Sequence, residues 1–190
     1  NFENVLFNLK TIISSGKVRQ IGISNENPWA FMKYLELSKK KLPKTITIQN
    51  PYSLLNRLFE IGNSEICMRE DVGLLAYSPL GFGVLSGKYL NGNMPKDSRL
   101  KLFPNLSRFS GENSMKATSM YYNISKKYNL SLTQMALSFV NSRPFVTSNI
   151  IGATKLNQLK ENIESINIDL SEDALKEINE VHKLIPNPAP

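Results

Sequence analysis

Four short apolar runs, separated by segments of helical pattern, constrain the fold of this chain more than any other feature of its sequence. The runs cover residues 20–24, 45–49, 72–76 and 146–151. Their length suits buried strands and is short for helices. Strands that alternate with helices in this way form a parallel sheet with helical crossovers. The sequence therefore predicts an α/β fold.

Amphipathic patterns and capping residues predict the helices. Asn27 followed by Pro28 is a typical helix start, and Ser131 opens a capping box with Gln134. Helices are predicted over residues 3–15, 27–40, 59–69, 114–128, 131–142, 155–165 and 171–184. The segment 81–114 is rich in Gly, Asn, Pro, Ser and Arg, which predicts a long loop of the kind that binds ligands. The last six residues are predicted to be non-helical.

The number of strands indicates part of a larger sheet. An open sheet of four such apolar strands would leave two apolar edges unpaired. We therefore expect residues 1–190 to form the C-terminal half, about four βα units, of an eight-stranded (β/α)8 TIM barrel. A small doubly wound fold is the alternative. It is disfavoured because the sequence has no Gly-rich first strand-to-helix turn of the G-x-G-x-x-G type.

Composition excludes several classes of protein. With 41% hydrophobic and 21% charged residues, the chain fits a globular class. Cys67 is the only cysteine and His182 the only histidine, so we expect no internal disulfide, no metal site and no Cys-His nucleophile. No 18-residue apolar run or export signal is present, which predicts no membrane span. A lone cysteine favours a reducing compartment, and we expect a cytoplasmic protein.

The formal net charge of +7 has three explanations. Lysines can coat exposed helix faces, as at Lys39, Lys40 and Lys41. A local cluster of cations can attract a phosphorylated cofactor. Binding to nucleic acid is the third, and it has the least support because the chain lacks a recognition-helix motif and a platform of aromatic and basic residues.

Polar or aromatic residues follow the first three strands directly. Ser24 and Asn25 follow the first, Gln49 ends the second, and Tyr77 follows the third. Because the carboxyl ends of parallel barrel strands face one mouth, we expect one ligand site there. Amides donate and accept hydrogen bonds at once, which suits a carboxamide ligand such as a nicotinamide. The Tyr77 ring can stack on a flat heterocycle, although core packing is the more common role for a single tyrosine.

The segment after the third strand contains candidates for an anion site. Its turn around Gly81 and Gly83 has backbone N–H groups that can face a pyrophosphate. Lys88 and Arg99 supply positive charges in the same segment. The alternative for both cations is ordinary solvated surface charge.

The helix that follows the fourth strand has an unusual polar face. Thr154, Gln158, Glu161 and Asn162 lie within one face at helical spacing. The positive end of a helix dipole also suits a phosphate there. The roughly opposite face is apolar, and we expect it to be core; its residues are Leu156, Leu159, Ile163 and Ile166.

Four motifs carry a resemblance to a known family. They occupy residues 16–25, 49–57, 75–89 and 151–162. In this order they resemble the aldo-keto reductases, and within that family the Tas-like subgroup of bacterial type, with a similar Pro-Ala-Pro ending. The resemblance covers essentially all 190 residues.

The resemblance implies an (α/β)8 barrel that binds NADPH in an extended form at its C-terminal mouth. By the family pattern, Ser24, Asn25 and Gln49 hold the nicotinamide carboxamide, and Tyr77 stacks on the nicotinamide ring. The remaining cofactor residues are Ser78, Pro79, Leu80 and Lys88 along the pyrophosphate, Arg99 in the loop over the cofactor, and Thr154, Gln158, Glu161 and Asn162 at the adenosine end with its 2′-phosphate.

The family's catalytic Asp, Tyr, Lys and His belong to the first four strands of the barrel, so the resemblance implies no catalytic residue in this chain. Tyr52, Lys88 and His182 are not expected to replace them. The implied activity is NADPH-dependent reduction of aldehydes or ketones, with the N-terminal half barrel and a small carbonyl substrate as partners. The alternatives are a catalytically silent NADPH-binding subunit, similar to the channel-associated β subunits of the family, and an inactive truncated fragment.

Overall fold

A computed structural model describes residues 1–104 and 107–190 and contains one four-stranded sheet within those ranges. Its strands are β1 (Ile21–Ser24), β2 (Thr45–Pro51), β3 (Gly73–Tyr77) and β4 (Val146–Asn149). They are adjacent in the order β1-β2-β3-β4, and β1 and β2 run parallel with Ser24 opposite Gln49. This confirms the α/β class and the parallel sheet. The half-barrel stays a prediction.

The seven predicted helices lie close to their predicted positions, and the described residues contain one further short α-helix that was not predicted. The helices are α1 (Phe2–Ser14), α2 (Pro28–Ser38), α3 (Asn63–Glu70), α4 (Arg99–Leu102), α5 (Glu112–Lys127), α6 (Leu132–Asn141), α7 (Leu156–Glu164) and α8 (Glu172–Leu184). The predicted helix at 59–69 begins later than expected, because Gly62 adopts φ 87° and separates a 3₁₀ turn, Leu58–Glu60, from α3. Two predicted helix starts are confirmed: the Asn27 side chain accepts from Ala30 N at 2.9 Å, and both bonds of the Ser131–Gln134 capping box are present.

The segment predicted as a long loop at 81–114 contains short helical turns as well as α4. These turns are Gly81–Ser86, Leu90–Gly92 and Ser107–Phe109. Residues 105 and 106 of the segment lie outside the described residues. The final six residues are non-helical, as expected.

The chain divides into two compact units. The first comprises Asn1–Asn50, Phe59–Leu75 and Pro144–Ser148, and the second comprises Pro51–Leu58, Ala76–Arg143 and Asn149–Pro190. In the first unit, Leu6, Ile21 and Tyr34 form a buried cluster. In the second, the stacked rings of Tyr52 and Phe139 are fully buried, with centroids 6.0 Å apart.

Two glycines in the sheet of the first unit allow close approach of neighbouring strands. A Cβ at Gly73 would lie 2.7 Å from the Thr147 Cβ and closer still to its Oγ1. A Cβ at Gly22 would meet the Thr47 Oγ1, but it would lie 3.0 Å from the nearest backbone atom, Thr47 O. Rotation of the Thr47 side chain about its Cα–Cβ bond moves Oγ1 and relieves the clash at Gly22. The clash at Gly73 remains, because the Thr147 Cβ moves only with its backbone.

We therefore expect Gly73→Ala to lower the free energy of unfolding by about 1–3 kcal/mol through overpacking. Gly22→Ala should cost less. Gly152→Ala is the matched control, since no atom lies within 4 Å of its added Cβ. Urea denaturation of the three variants measures how much stability each one loses. Equal midpoints for Gly73→Ala and Gly152→Ala would contradict the close-approach explanation.

Candidate functional site

The ends of β1 and β2 bring the first three predicted site residues together in the first unit. Asn25 N donates to Gln49 O at 2.9 Å, and Ser24 Oγ donates to the same carbonyl at 3.1 Å. Asn25 adopts φ 59°, a left-handed conformation that asparagine tolerates better than most residues. The turn after β1 is thus pinned to the end of β2.

The Gln49 side chain at this turn has hydrogen-bonding capacity open to a ligand. Asn25 is exposed, and its Nδ2 donates to Ser24 Oγ at 3.1 Å. Gln49 is half-buried, and within residues 1–104 and 107–190 its carboxamide has no hydrogen-bond partner. An amide held at a strand end with donor and acceptor both free can orient a ligand that has the same two functions.

Asn50 is a site residue that the sequence reasoning missed. Its Oδ1 accepts from Asn25 N at 3.0 Å and its Nδ2 donates to Glu26 O at 3.4 Å. Asn63 donates to the same Glu26 carbonyl at 3.2 Å. Asn50 therefore holds the left-handed turn in place. The sequence feature that could have identified Asn50 is its polar side chain directly after Gln49, at a strand end already assigned to the ligand site.

The end of β3 positions Tyr77 in the second unit. Its carbonyl accepts from Tyr52 N at 3.2 Å, and its side chain is half-buried. The next residue, Ser78, adopts φ 55°, and its carbonyl accepts from Gly81 N at 2.9 Å. Pro79 is buried and Leu80 half-buried, so these two residues shape the turn by packing.

The turn after β3 uses part of its own hydrogen-bonding capacity. Phe82 and Gly83 adopt φ 56° and 90°. Gly83 N donates to Leu80 O at 2.9 Å, as Gly81 N does to Ser78 O. The N–H groups of both glycines therefore have partners inside the chain. For an anion at this turn, the cationic side chains are the better donors.

The two cations that the sequence singled out lie against this turn. A Cβ at Gly83 would be 2.8 Å from Lys88 Nζ, so the ammonium lies directly over the glycine. The Arg99 guanidinium lies 4.8 Å from the centre of the Phe82 ring. Two positive charges thus contact successive residues of one turn, an arrangement that attracts an anion such as a phosphate.

The polar face of α7 organises the loop that precedes it, also in the second unit. Gln158 Oε1 accepts from Thr154 N at 3.1 Å and from Thr154 Oγ1 at 3.2 Å. Asn162 Nδ2 donates to Gly152 O at 3.4 Å, and Glu161 Oε1 accepts from Ser131 Oγ at 2.5 Å. The four residues predicted for one site are therefore neighbours that contact one loop and the start of α6.

The apolar face of α7 is exposed within the described residues, so the prediction that it is core was wrong for this chain. Its residues are largely exposed, at 69% for Leu156, 39% for Leu159, 57% for Ile163 and 65% for Ile166. Asn162 is the residue that is buried, at 5%. The physical reason is that the polar side chains find partners on α6 and in the Gly152 loop. Those bonds turn the polar face inward and leave the apolar face open.

Comparison with known proteins decides the family. The model of the Aldo/keto reductase family matches residues 1–183. The chain belongs to the aldo/keto reductase family. Among relatives, it is 52% identical to "Protein tas" of Escherichia coli (strain K12) over 93% of this chain and 51% of that protein.

More distant members of the aldo/keto reductase family also match most of the chain. It is 38% identical to "Aldo-keto reductase" of Babesia bovis over 95% of this chain and 66% of that protein. It is 35% identical to "L-glyceraldehyde 3-phosphate reductase" of Escherichia coli (strain K12) over 82% of this chain and 46% of that protein. The chain thus spans about half to two thirds of the length of these relatives.

Other titratable groups of this aldo/keto reductase chain do not add to the site. Burial raises the pKa of the Cys67 thiol to about 12, so it stays protonated at neutral pH and is a poor nucleophile. The lysines at 39–41 are exposed, which fits the simplest explanation of the net charge. Within the two described ranges, no helix is long and apolar enough to span a membrane.

Proposed function

We propose that the intact protein is an NADPH-dependent oxidoreductase that reduces aldehydes or ketones to alcohols, and that this chain binds the cofactor. The observation that carries the proposal is the open carboxamide of Gln49 beside Ser24 and Asn25. A nicotinamide carboxamide has one carbonyl acceptor and an NH₂ donor, which complement the Gln49 amide directly. Ser24 and Asn25 then fix the orientation of the ring.

Lys88 and Arg99 are proposed to bind the cofactor's pyrophosphate. Their charges lie against Phe82 and Gly83, and an ammonium and a guanidinium form charge-assisted hydrogen bonds with phosphate oxygens. Ser78, Pro79 and Leu80 form the backbone of the same turn. Tyr77, half-buried at the end of β3, is proposed to stack on the nicotinamide ring.

The loop before α7 is proposed to bind the adenosine end and its 2′-phosphate. Thr154 and Gln158 are already joined by two hydrogen bonds, so little ordering entropy is lost when a ligand binds. The Asn162 side chain donates a hydrogen bond to the Gly152 carbonyl, and the Ser131 hydroxyl donates one to the Glu161 carboxylate. The positive end of the α7 dipole adds a favourable field for the phosphate.

The chemistry divides between the cofactor and the protein. NADPH, when bound, supplies a hydride to the carbonyl carbon. The residues of this chain hold and orient the cofactor and line part of the substrate pocket. The proton for the carbonyl oxygen is proposed to come from the family's tyrosine, which the resemblance places in an N-terminal half barrel beyond this chain.

That N-terminal half barrel is also the proposed cover for exposed apolar faces in each unit. In the first unit, Val5 and Ile12 lie seven residues apart on one face of α1 and are 44% and 41% exposed. In the second, α7 exposes the apolar face described above. Contiguous exposed apolar faces of this kind mark interaction surfaces. The chain's coverage of only half of "Protein tas" leaves room for such a half.

The proposed activity is tested by following NADPH absorbance with the intact protein and a panel of aldehydes and ketones. Oxidation that depends on both the protein and a carbonyl compound supports the proposal. Saturable NADPH binding without turnover of any carbonyl compound would instead favour the cofactor-binding regulatory subunit. Absence of NADPH binding would overturn both.

We expect the intact protein to bind NADPH at least about tenfold more tightly than NADH, because a 2′-phosphate adds charge-assisted hydrogen bonds worth about 1.5–3 kcal/mol. Thr154→Val should weaken NADPH binding more than NADH binding. Thr11→Val, on an exposed position of α1, is the matched control. Equal dissociation constants for the two cofactors by fluorescence titration would rule out the proposed 2′-phosphate site.

A further inference from the structure

The segment 185–190 is tied to the second unit through three successive residues. Asn187 Oδ1 accepts from Arg57 N at 2.6 Å, and Pro188 O accepts from Ser114 Oγ at 3.0 Å. Ala189 is fully buried. A proline-rich segment after the last helix is ordinarily among the least constrained parts of a domain. Contacts at three successive residues therefore hold this segment in place more firmly than its composition predicts.

The Ala189 backbone joins two separate parts of the second unit. Its N–H donates to Leu55 O at 3.1 Å, and its carbonyl accepts from Arg108 Nε at 3.3 Å. Because Ala189 is fully buried, a larger side chain at this position has to displace neighbouring atoms or shift the backbone that makes these two bonds. The Ala189 backbone therefore links Leu55 to Arg108 through one bond to each.

Leu55, which is bonded to Ala189, and Phe109, which follows Arg108, lie against the turn after β3. A Cβ at Gly81 would be 3.4 Å from Leu55 Cδ1 and 3.0 Å from Phe109 Cδ1. The Phe109 ring is buried and packs edge-on against Phe82, with centroids 4.8 Å apart. The turn is thus seated between Leu55 and the residue next to Arg108.

We propose that the segment 185–190, through Ala189, is a positioning element for the anion-binding turn at residues 81–83. Lys88 contacts this turn at Gly83 and Arg99 contacts it at Phe82. Displacement of Leu55 or Phe109 moves the turn, and the two cations move with it. The inference rests on the proposed function for its ligand, the pyrophosphate of NADPH. The hydrogen bonds from Ala189 to Leu55 and Arg108, which we call the clamp, form without any ligand.

The first test uses Ala189→Leu in the intact protein. We expect NADPH affinity to fall by roughly 3- to 30-fold, the range typical of substitutions that act through packed neighbours. The small Ala189→Ser should retain most of the affinity, and Pro186→Ser, at an exposed position, is the matched control. If Ala189→Leu does not fold, Ser114→Ala removes the bond to Pro188 and should give a smaller fall in the same direction.

A double-mutant cycle with Lys88→Ala distinguishes positioning from general loss of stability. If Ala189 acts through Lys88, the two substitutions together weaken NADPH binding by less than the product of their separate effects. Independent effects on affinity would overturn the inference. Unchanged affinity in Ala189→Leu and Ser114→Ala, with the unsubstituted protein binding normally, would overturn it too.

A second readout needs no cofactor. The rate of Lys88 acetylation, measured by peptide mass spectrometry against exposed Lys116, should rise in Ala189→Leu because the ammonium is released from Gly83. A changed rate in a protein that does not bind NADPH would support the clamp and refute the proposed function. An unchanged rate in a protein that binds NADPH would refute the clamp and leave the proposed function standing.

Discussion

Gln49→Ala combined with Asn25→Ala is expected to weaken NADPH binding to the intact protein by about 1–3 kcal/mol, or roughly 5- to 150-fold. Gln49 presents an amide that has no partner among the described residues, and Asn25 presents an exposed amide beside it. Removing both leaves the nicotinamide carboxamide without its complementary groups. Fluorescence titration with NADPH measures the change.

Two further variants separate lost hydrogen bonds from lost structure. Asn25 has φ 59°, so Asn25→Ala adds backbone strain, whereas Asn25→Gly deletes the same amide without it. Both should weaken binding, and only the alanine variant should also lower stability. Gln20→Ala, at the exposed residue directly before β1, should change nothing. Unaltered NADPH affinity in the Gln49 and Asn25 double variant would count against the assigned roles.

Ile163→Asp is expected to destabilise the intact protein by about 2–5 kcal/mol, the range for placing a charge in a buried apolar contact. In this chain Ile163 is 57% exposed, so nothing within the described residues predicts such a cost. The expected cost comes from the proposed N-terminal half barrel, which would cover the apolar face of α7. Thermal or urea denaturation measures the difference.

Asn167→Asp is the matched control, because it adds the same carboxylate at an exposed position beyond the same end of the helix. A cost for Ile163→Asp no larger than for the control would mean that α7 is not covered. Residues 1–190 expressed alone should correspondingly associate, since the apolar faces stay open. A cooperative monomeric melt of that chain would contradict the half-barrel proposal.

Local rules predicted the elements of this fold well. Asn27 and Pro28 start α2, and the Ser131 capping box starts α6, because side-chain caps satisfy N–H groups within a few residues of sequence. The strands lie within one or two residues of their predicted positions, since short apolar runs flanked by turns leave few alternatives. The grouping of Ser24, Asn25 and Gln49 also followed from strand order, because parallel neighbours align their carboxyl ends.

Features that depend on residues far apart in the sequence could not be predicted. Periodicity identified two faces of α7 but did not predict which one is covered, because the answer depends on Ser131, thirty residues away from Glu161. The bonds of Ala189 to Leu55 and Arg108 were likewise invisible, since composition predicts only that a Pro-rich segment is non-helical. Asn50 was missed because its role is to hold Asn25.

The most direct test of the central claim is a crystal structure of the intact protein with NADP⁺ bound. The account predicts that the nicotinamide carboxamide lies within about 2.7–3.2 Å of the Gln49 amide, with Ser24 and Asn25 beside it. A dinucleotide bound with its nicotinamide away from these three residues would contradict it.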